Sequence, residues 1–160
     1  MIALNRNYNP ISFPSAFTGQ TRIAWELDLL EQAREIAKGT KEKYSFSTSR
    51  WKTAKDNLKL ESYNKCAYCE VNFSAVAYGD VEHYRPKSKY WWLAYCYFNY
   101  SVSCQLCNQK YKRAKFPVPK RPLKAPRIRK NNTDAYLRKK AGFLTPNPCL
   151  LYTSPSPRDS

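Results

Sequence analysis

Long apolar runs and a secretory start are both missing from this sequence of 160 residues. No stretch approaches the roughly 18 apolar residues of a membrane-spanning helix, which excludes an integral membrane protein of that type. Residues 1–10 have neither the basic nor the apolar region of a signal peptide, so we expect a cytoplasmic chain. Its six cysteines are then predicted to stay reduced, and to bind metal rather than form disulfides.

Acidic residues are also scarce, because twelve Asp and Glu stand against 28 Lys and Arg, a formal net charge of +16. Such an excess favours a polyanionic partner, DNA or RNA, and argues against a protein-interaction domain with no affinity for polynucleotides. A basic surface that is merely solvated is the alternative interpretation. The length fits one domain.

Residues 1–62 are predicted to form a helical support for the rest of the chain. The apolar periodicity predicts one helix over residues 21–38, ended by Gly39, and a second over about 49–62. Residues 90–100 are unusually aromatic and apolar, which favours a wall of the core, with stacking of nucleic-acid bases as the alternative. Cys96, inside this run, is expected to be a buried core residue.

The C-terminal part of the chain changes character twice. Between residues 110 and 140 there are thirteen Lys or Arg and one acid, and four prolines divide the stretch into extended pieces. We expect residues 118–148 to be a basic arm that neutralises phosphates. Residues 149–160 can be encoded by a transposase-type sequencing adapter, so we expect them to be foreign and the arm to be truncated; a natural Pro- and Ser-rich tail is the alternative.

Two C-x-x-C motifs, one with Cys66 and Cys69 and one with Cys104 and Cys107, predict a structural zinc site. Four thiolates in two short loops give the closed tetrahedral set that structural zinc prefers. The two motifs stand farther apart than in a zinc ribbon, so a sizeable insert separates them. The ion is expected to add stability that the core of a small basic domain lacks.

The insert holds the single histidine of the chain, His83, directly after Glu82. A neutral imidazole accepts a proton from water near neutral pH, which makes His83 a candidate general base. In a strand, neighbouring side chains point to opposite faces, so these two residues cannot reach one ion from the same side. This predicts a division of roles, in which one residue holds a metal ion and the other reaches the attacking water.

Together these motifs resemble one family of nucleases. C-x-x-C, D-x-E-H-Y-R-P-K-S, L-A-Y-x-Y-x-N and S-C-x-L-C-N-Q-K-Y-K follow one another along the chain. Their order is similar to that of the HNH endonucleases, and most of all to the zinc-containing nucleases of Septu-type and retron-associated anti-phage systems. The likeness covers residues 50–117 strongly and the preceding helices loosely. It implies an α+β fold with a ββα-metal nuclease core over residues 63–117, braced by the zinc site.

The resemblance also implies roles for individual residues. His83 matches the general base, and Asn99 matches the central asparagine that fixes the loop carrying this base. Asn108 stands where the family has its final histidine, so Glu82 and Asn108 are the expected ligands of a catalytic ion. Asp80 is either an alternative ligand or a strand cap. Oxygen ligands suit a hard cation, so this second ion is expected to be Mg²⁺ or Mn²⁺.

The strands of the implied core are expected at residues 81–84 and 99–104, and its helix at 105–115. Tyr97 replaces the tryptophan usual in the family, which preserves packing and leaves the loop geometry open. The implied reaction is hydrolysis of a phosphodiester bond, with Arg85 and Lys112 either contacting the phosphate or simply exposed. A zinc-braced nucleic-acid-binding module without catalysis is the alternative function. An anti-phage defence role and an ATPase partner are implied by the resemblance alone.

Overall fold

The computed structural model describes residues 4–6, 13–73 and 79–116. Within these residues, three α-helices precede a two-stranded antiparallel sheet, which is the α+β class that the sequence predicts. The expected basic arm, residues 118–148, and the segment 149–160 lie outside the described residues. No helix in the described ranges is long and apolar enough to cross a membrane.

The first helix, α1, covers Gly19–Ala37, close to the predicted range. Its end is fixed by two backbone hydrogen bonds, from Gly39 N–H to Ile36 O at 3.1 Å and from Thr40 N–H to Glu35 O at 3.0 Å. This pattern requires a residue with positive φ just after the helix, and Gly39 has a φ of 77°. Glycine adopts such a φ without a steric penalty, so Gly39 ends the helix as predicted.

The second predicted helix is two short ones, α2 over Thr48–Lys52 and α3 over Lys55–Glu61. The chain tightens between them, because Ala54 N–H donates to Trp51 O, only three residues back, at 3.0 Å. The residues that face the core still form a stripe, Trp51, Ala54 and Leu58. Leu60 is a further apolar residue of this segment. It is 72% exposed because it lies on the opposite side of α3 from that stripe.

The sheet pairs strand β1, Asp80–His83, with strand β2, Tyr100–Ser103. Both strands agree with the expected ranges to within one residue at each end. His83 lies opposite Tyr100 in the register, and its ring contacts the Trp51 ring of α2, with centroids 4.9 Å apart. Glu82 instead contacts a lysine of the helix after β2, so the two neighbours do face opposite sides of the strand.

The helix after β2 is a π-helix, Leu106–Lys112, shorter than the expected 105–115. Its wide winding is seen where Arg113 N–H donates to Asn108 O, five residues back, at 2.9 Å. This period brings Cys107 and Lys112, five residues apart, to the same buried side. The π-helix therefore connects the cysteine cluster to the sheet.

The aromatic run 90–100 is a wall of the core, which confirms the prediction. Seven of its apolar and aromatic members are at most 6% exposed: Tyr90, Trp92, Ala94, Tyr95, Cys96, Tyr97 and Tyr100. Four of these, Ala94, Tyr95, Tyr97 and Tyr100, belong to one core cluster with Phe17 and Leu29 from the N-terminal segment and with Leu58 of α3. Trp91 differs, because it is only half-buried.

Gly79, directly before β1, is expected to tolerate no side chain. A Cβ at this position would lie 2.8 Å from Val102 Cγ2 and 2.9 Å from Phe73 Cε1. We therefore expect Gly79→Ala to lower the free energy of unfolding by about 1–3 kcal/mol through overpacking, as measured by urea denaturation. In a Phe73→Leu background, which lacks the Cε1 and Cζ atoms, the same change should cost less; an equal cost would contradict this explanation.

Candidate functional site

The four cysteines of the two C-x-x-C motifs meet in one cluster, with all their sulfur atoms within 4.8 Å of one another. Cys69 Sγ and Cys104 Sγ are 3.7 Å apart. A tetrahedral zinc ion with Zn–S bonds of about 2.3 Å separates its sulfur ligands by about 3.8 Å. The cluster is therefore sized to hold a zinc ion.

Backbone hydrogen bonds hold the cysteine-containing loops in place. Lys65 and Asn72 form a bridge that closes the first motif into a small hairpin, and Ala67 N–H joins it to β2 through Val102 O at 3.0 Å. Cys104 N–H donates to Cys66 Sγ at 3.3 Å, and such hydrogen bonds stabilise thiolates.

The thiols themselves also indicate a cation. Burial raises the pKa of the Cys107 thiol, and the neighbouring sulfurs, Cys66 first among them, raise it further. A bound cation would reverse this penalty on the Cys107 thiolate. The fifth described cysteine, Cys96, is outside the cluster, as expected of a core residue.

A cleft of about 810 Å³ lies beside β1, between α2 and the π-helix. Four of the residues that the sequence singled out line it: Asp80, Glu82, His83 and Asn108. Four cations line it as well: Lys52, Lys55, Lys87 and Arg113. The cleft thus combines two carboxylates and an imidazole with a basic rim.

His83 is held in one orientation at the edge of this cleft. Its Nε2 lies 3.0 Å from Ala94 O, and a carbonyl can only accept, so Nε2 carries the proton of the neutral ring. Nδ1 is then the nitrogen with a lone pair. Burial, followed by the charge of Lys87, lowers the pKa of His83 to about 3, so the ring is neutral at pH 7.

Asn99 clamps the loop that follows His83. Its Oδ1 accepts from Arg85 N–H at 2.9 Å, and its Nδ2 donates to Arg85 O at 3.0 Å and to Leu93 O at 3.2 Å. Asn99 O also accepts from Tyr84 N–H at 2.9 Å. These contacts tie the loop after β1 to the start of β2, the arrangement that the resemblance implied for this residue.

Lys112 differs from the expected phosphate contact. It is 5% exposed, and its Nζ donates to Glu82 Oε1 at 2.7 Å and to His83 O at 3.1 Å. It is therefore an internal counter-charge that joins the π-helix to β1, and neither an exposed charge nor a residue of the cleft. Burial raises the pKa of Glu82, and Lys112 opposes this shift.

Arg85 also differs from its expected role. It is 6% exposed, and its guanidinium lies 4.9 Å from the ring centroid of Phe116 and 5.3 Å from that of Tyr90. Cation–π contact and burial hold it in the packing, outside the lining of the cleft. The two residues expected to contact phosphate are thus buried in the fold, and neither lines the cleft.

The donors of a second ion fit a hard cation by their chemistry. Asp80 and Glu82 follow the strand period on one side of β1, and Asn108 Nδ2 lies 3.5 Å from Asp80 Oδ2. Carboxylate and amide oxygens suit Mg²⁺, which binds through one or two carboxylates and retains waters or phosphate oxygens as its other ligands. Lys112 engages only Oε1 of Glu82, which leaves Oε2 for such an ion.

The cations of the cleft are residues that the sequence did not reveal as site residues. Lys87 was visible in the motif around His83, but a motif gives no direction for a side chain. Lys52 and Lys55 flank the break between α2 and α3, which the sequence indicated only as support. Arg113 follows the π-helix and lines the cleft because the chain turns sharply there, with a φ of 46°.

Comparison with known proteins finds a similar curated protein, the Septu protein PtuB of Bacillus mycoides strain KBAB4. The identity is 31% over 102 residues, which is 56% of this chain and 35% of that protein. The chain thus matches only about a third of the length of its relative. No family model matches the chain, and no solved structure matches it. The similarity supports the Septu-type relationship that the motifs indicated.

We expect the purified protein to contain one tightly bound zinc ion per chain, because four sulfurs converge at the right spacing. Cys66→Ser should lose this zinc and unfold at a lower temperature, since structural zinc binding is coupled to folding. Elemental analysis and thermal unfolding measure both effects. The matched control is Cys96→Ser, a buried cysteine outside the cluster, which should retain its zinc. Folded wild-type protein without zinc would refute the site.

Proposed function

We propose that this chain is an HNH-type endonuclease that hydrolyses phosphodiester bonds in nucleic acid with the help of a divalent cation. The observation that carries the proposal is the setting of His83. A neutral imidazole with a fixed tautomer lies in a cleft that two carboxylates and four cations also line. A histidine with a purely structural role needs none of these neighbours.

The cations of the rim give the cleft affinity for a phosphodiester backbone. Lys87 is half-buried, whereas Lys52 and Arg113 are exposed, so these charges are accessible to a bound strand. Lys and Arg that contact phosphates supply affinity without reading sequence. The net charge of +16 favours the same partner.

In the proposed reaction, His83 Nδ1 takes a proton from a water molecule. The resulting hydroxide forms a bond to phosphorus, and the bond from phosphorus to the 3′ oxygen breaks. The departing 3′ oxygen takes up a proton from bulk water and His83 releases its proton to solvent, which leaves a 5′-phosphate and a 3′-hydroxyl. Asn99 keeps the loop after His83 in place during these steps. Mg²⁺ or Mn²⁺, held by Glu82 and Asn108 with Asp80 nearby, would supply charge stabilisation for the phosphate.

The similarity to a Septu protein supports a role in defence against phage. Because the chain matches about a third of that relative, we assign this role as part of the proposal, together with an ATPase partner in the same system. A zinc-braced binding module without catalysis is the competing function. That function is compatible with the cysteine cluster and the basic rim, but it gives the imidazole of His83 no role.

We expect the protein to nick plasmid DNA or cleave single-stranded DNA or tRNA in the presence of Mg²⁺ or Mn²⁺, and we expect His83→Gln to abolish this activity. Gln places an amide donor near the position of Nε2, so the contact with Ala94 O is kept and the basic Nδ1 is lost. Removal of a general base lowers the rate by about 10²–10⁴-fold.

His83→Ala should be equally inactive, but it also leaves a cavity between the rings of Trp51 and Tyr100. The Gln variant therefore separates chemistry from packing. Wild-type zinc content and an unchanged circular dichroism spectrum are the controls for both variants. Cleavage by His83→Gln at the wild-type rate would overturn the role of His83 as base, and affinity without any cleavage by the wild type would favour the binding module.

We expect that the backbone conformation of Arg113 lowers the stability of the fold and that its side chain contributes to nucleic-acid binding. Its backbone, with φ 46° and ψ −123°, is a conformation that only glycine adopts without strain, and it brings the side chain to the rim of the cleft. Arg113→Gly should raise the free energy of unfolding by about 1 kcal/mol and weaken nucleic-acid binding. Denaturant titration and KM measure the two effects. Arg113→Lys should preserve both the strain and the binding, and an unchanged KM in Arg113→Gly would contradict the assignment.

A further inference from the structure

The cleft has an aromatic side that the proposed hydrolysis does not use. Phe46 and Trp51 line it next to the basic rim. Lys87 Nζ lies 6.0 Å from the ring centroid of Phe46 and 5.1 Å from that of Trp51. A phosphate is recognised through charge and hydrogen bonds, so the aromatic surface at this place is available to another group of the ligand.

Phe46 differs from the aromatic residues of the core. Tyr95 and Tyr100 are 1% exposed, whereas Phe46 is half-buried. Trp51 also lines the cleft, but it is buried. Phe46 is therefore the ring of the cleft that a ligand reaches.

Two further rings fix the orientation of Phe46. Tyr44 stacks on it with a centroid separation of 5.9 Å and an interplanar angle of 23°, and Trp91 stacks on Tyr44 at 5.0 Å and 13°. All three rings are half-buried and nearly parallel. A ring supported in this way loses little freedom when a ligand stacks on it, which favours binding.

We propose that Phe46 is a stacking platform for one unpaired nucleobase beside the bond that is cleaved. Bases inside a closed duplex stack on their neighbours and cannot stack on a side chain as well, so the ligand is an unpaired stretch or a flipped-out nucleotide. Every base has an aromatic face, so this contact selects strand state and not sequence. The inference rests on the proposed function, whose substrate class it narrows to unpaired DNA or RNA.

The test measures binding and not cleavage. Fluorescence anisotropy gives the Kd of full-length His83→Gln protein for a labelled single-stranded DNA, the same sequence as RNA, and a blunt duplex, without added Mg²⁺. We expect tighter binding of at least one single strand than of the duplex. Adding Phe46→Ala should raise the Kd for that single strand about 5- to 100-fold, the usual cost of a lost base-stacking contact, and leave the duplex nearly unchanged.

The matched control is Phe98→Ala, which removes another half-buried phenylalanine, one that packs on Phe13 away from the cleft. It should leave the Kd for single strands and for duplex unchanged. Phe46→Trp offers a larger face and should retain the preference for single strands, which keeps the test valid if Phe46→Ala fails to fold. Equal weakening of single strands and duplex by Phe46→Ala, or loss of the preference in Phe46→Trp, would overturn the platform.

The outcomes separate this inference from the proposed function. If the wild type cleaves nucleic acid and Phe46→Ala leaves the ratio of the two Kd values unchanged, the platform alone is wrong. If the ratio depends on Phe46 and no cleavage occurs under any metal condition, the nuclease assignment is wrong and the base-binding site stands. The DNA and RNA arms determine which strand the site prefers.

Discussion

The convergence of four thiols is the constraint on which the rest of the structure depends. It joins two loops that flank the sheet in sequence, so both strands are held between attachment points that share one cluster. The backbone of the first loop also bonds to β2 through Ala67, and the second loop leads directly into the π-helix. A two-stranded sheet is marginal by itself. The aromatic core stabilises it here, and a metal ion on the four thiols would add a clamp between the two loops.

Buried polar contacts then fix the positions of residues that line the cleft. Asn99 fixes the loop after β1 by bonding to backbone atoms, and Lys112 joins the π-helix to β1 by bonding to Glu82 and to a carbonyl. Ala94 O receives both His83 and the hydroxyl of Tyr100. Each contact would be costly to leave unpaired inside the protein, so the imidazole and the carboxylates are positioned with little freedom.

Buried cations and cations that line the cleft have different surroundings in this structure. Buried cations such as Arg85 and Lys112 are engaged by aromatic rings or a carboxylate inside the fold. The cations that line the cleft come from α2, from the start of α3, from the segment after β1 and from the residue after the π-helix. Under the proposed function, these cations would attract a polyanion, while Asp80 and Glu82 would provide oxygens for a divalent cation.

The sequence by itself determined the local features. Spacing located the cysteine pairs and apolar periodicity located α1, because both patterns lie within short stretches of consecutive residues. The two strands were expected from the family resemblance that the motifs carry. The sequence did not determine which charged side chains reach the cleft. Lys87 and Arg85 are two residues apart in one motif, yet one lines the cleft and the other packs between rings. Direction, burial and the break after α2 depend on contacts between residues distant in sequence, so only the tertiary structure decided them.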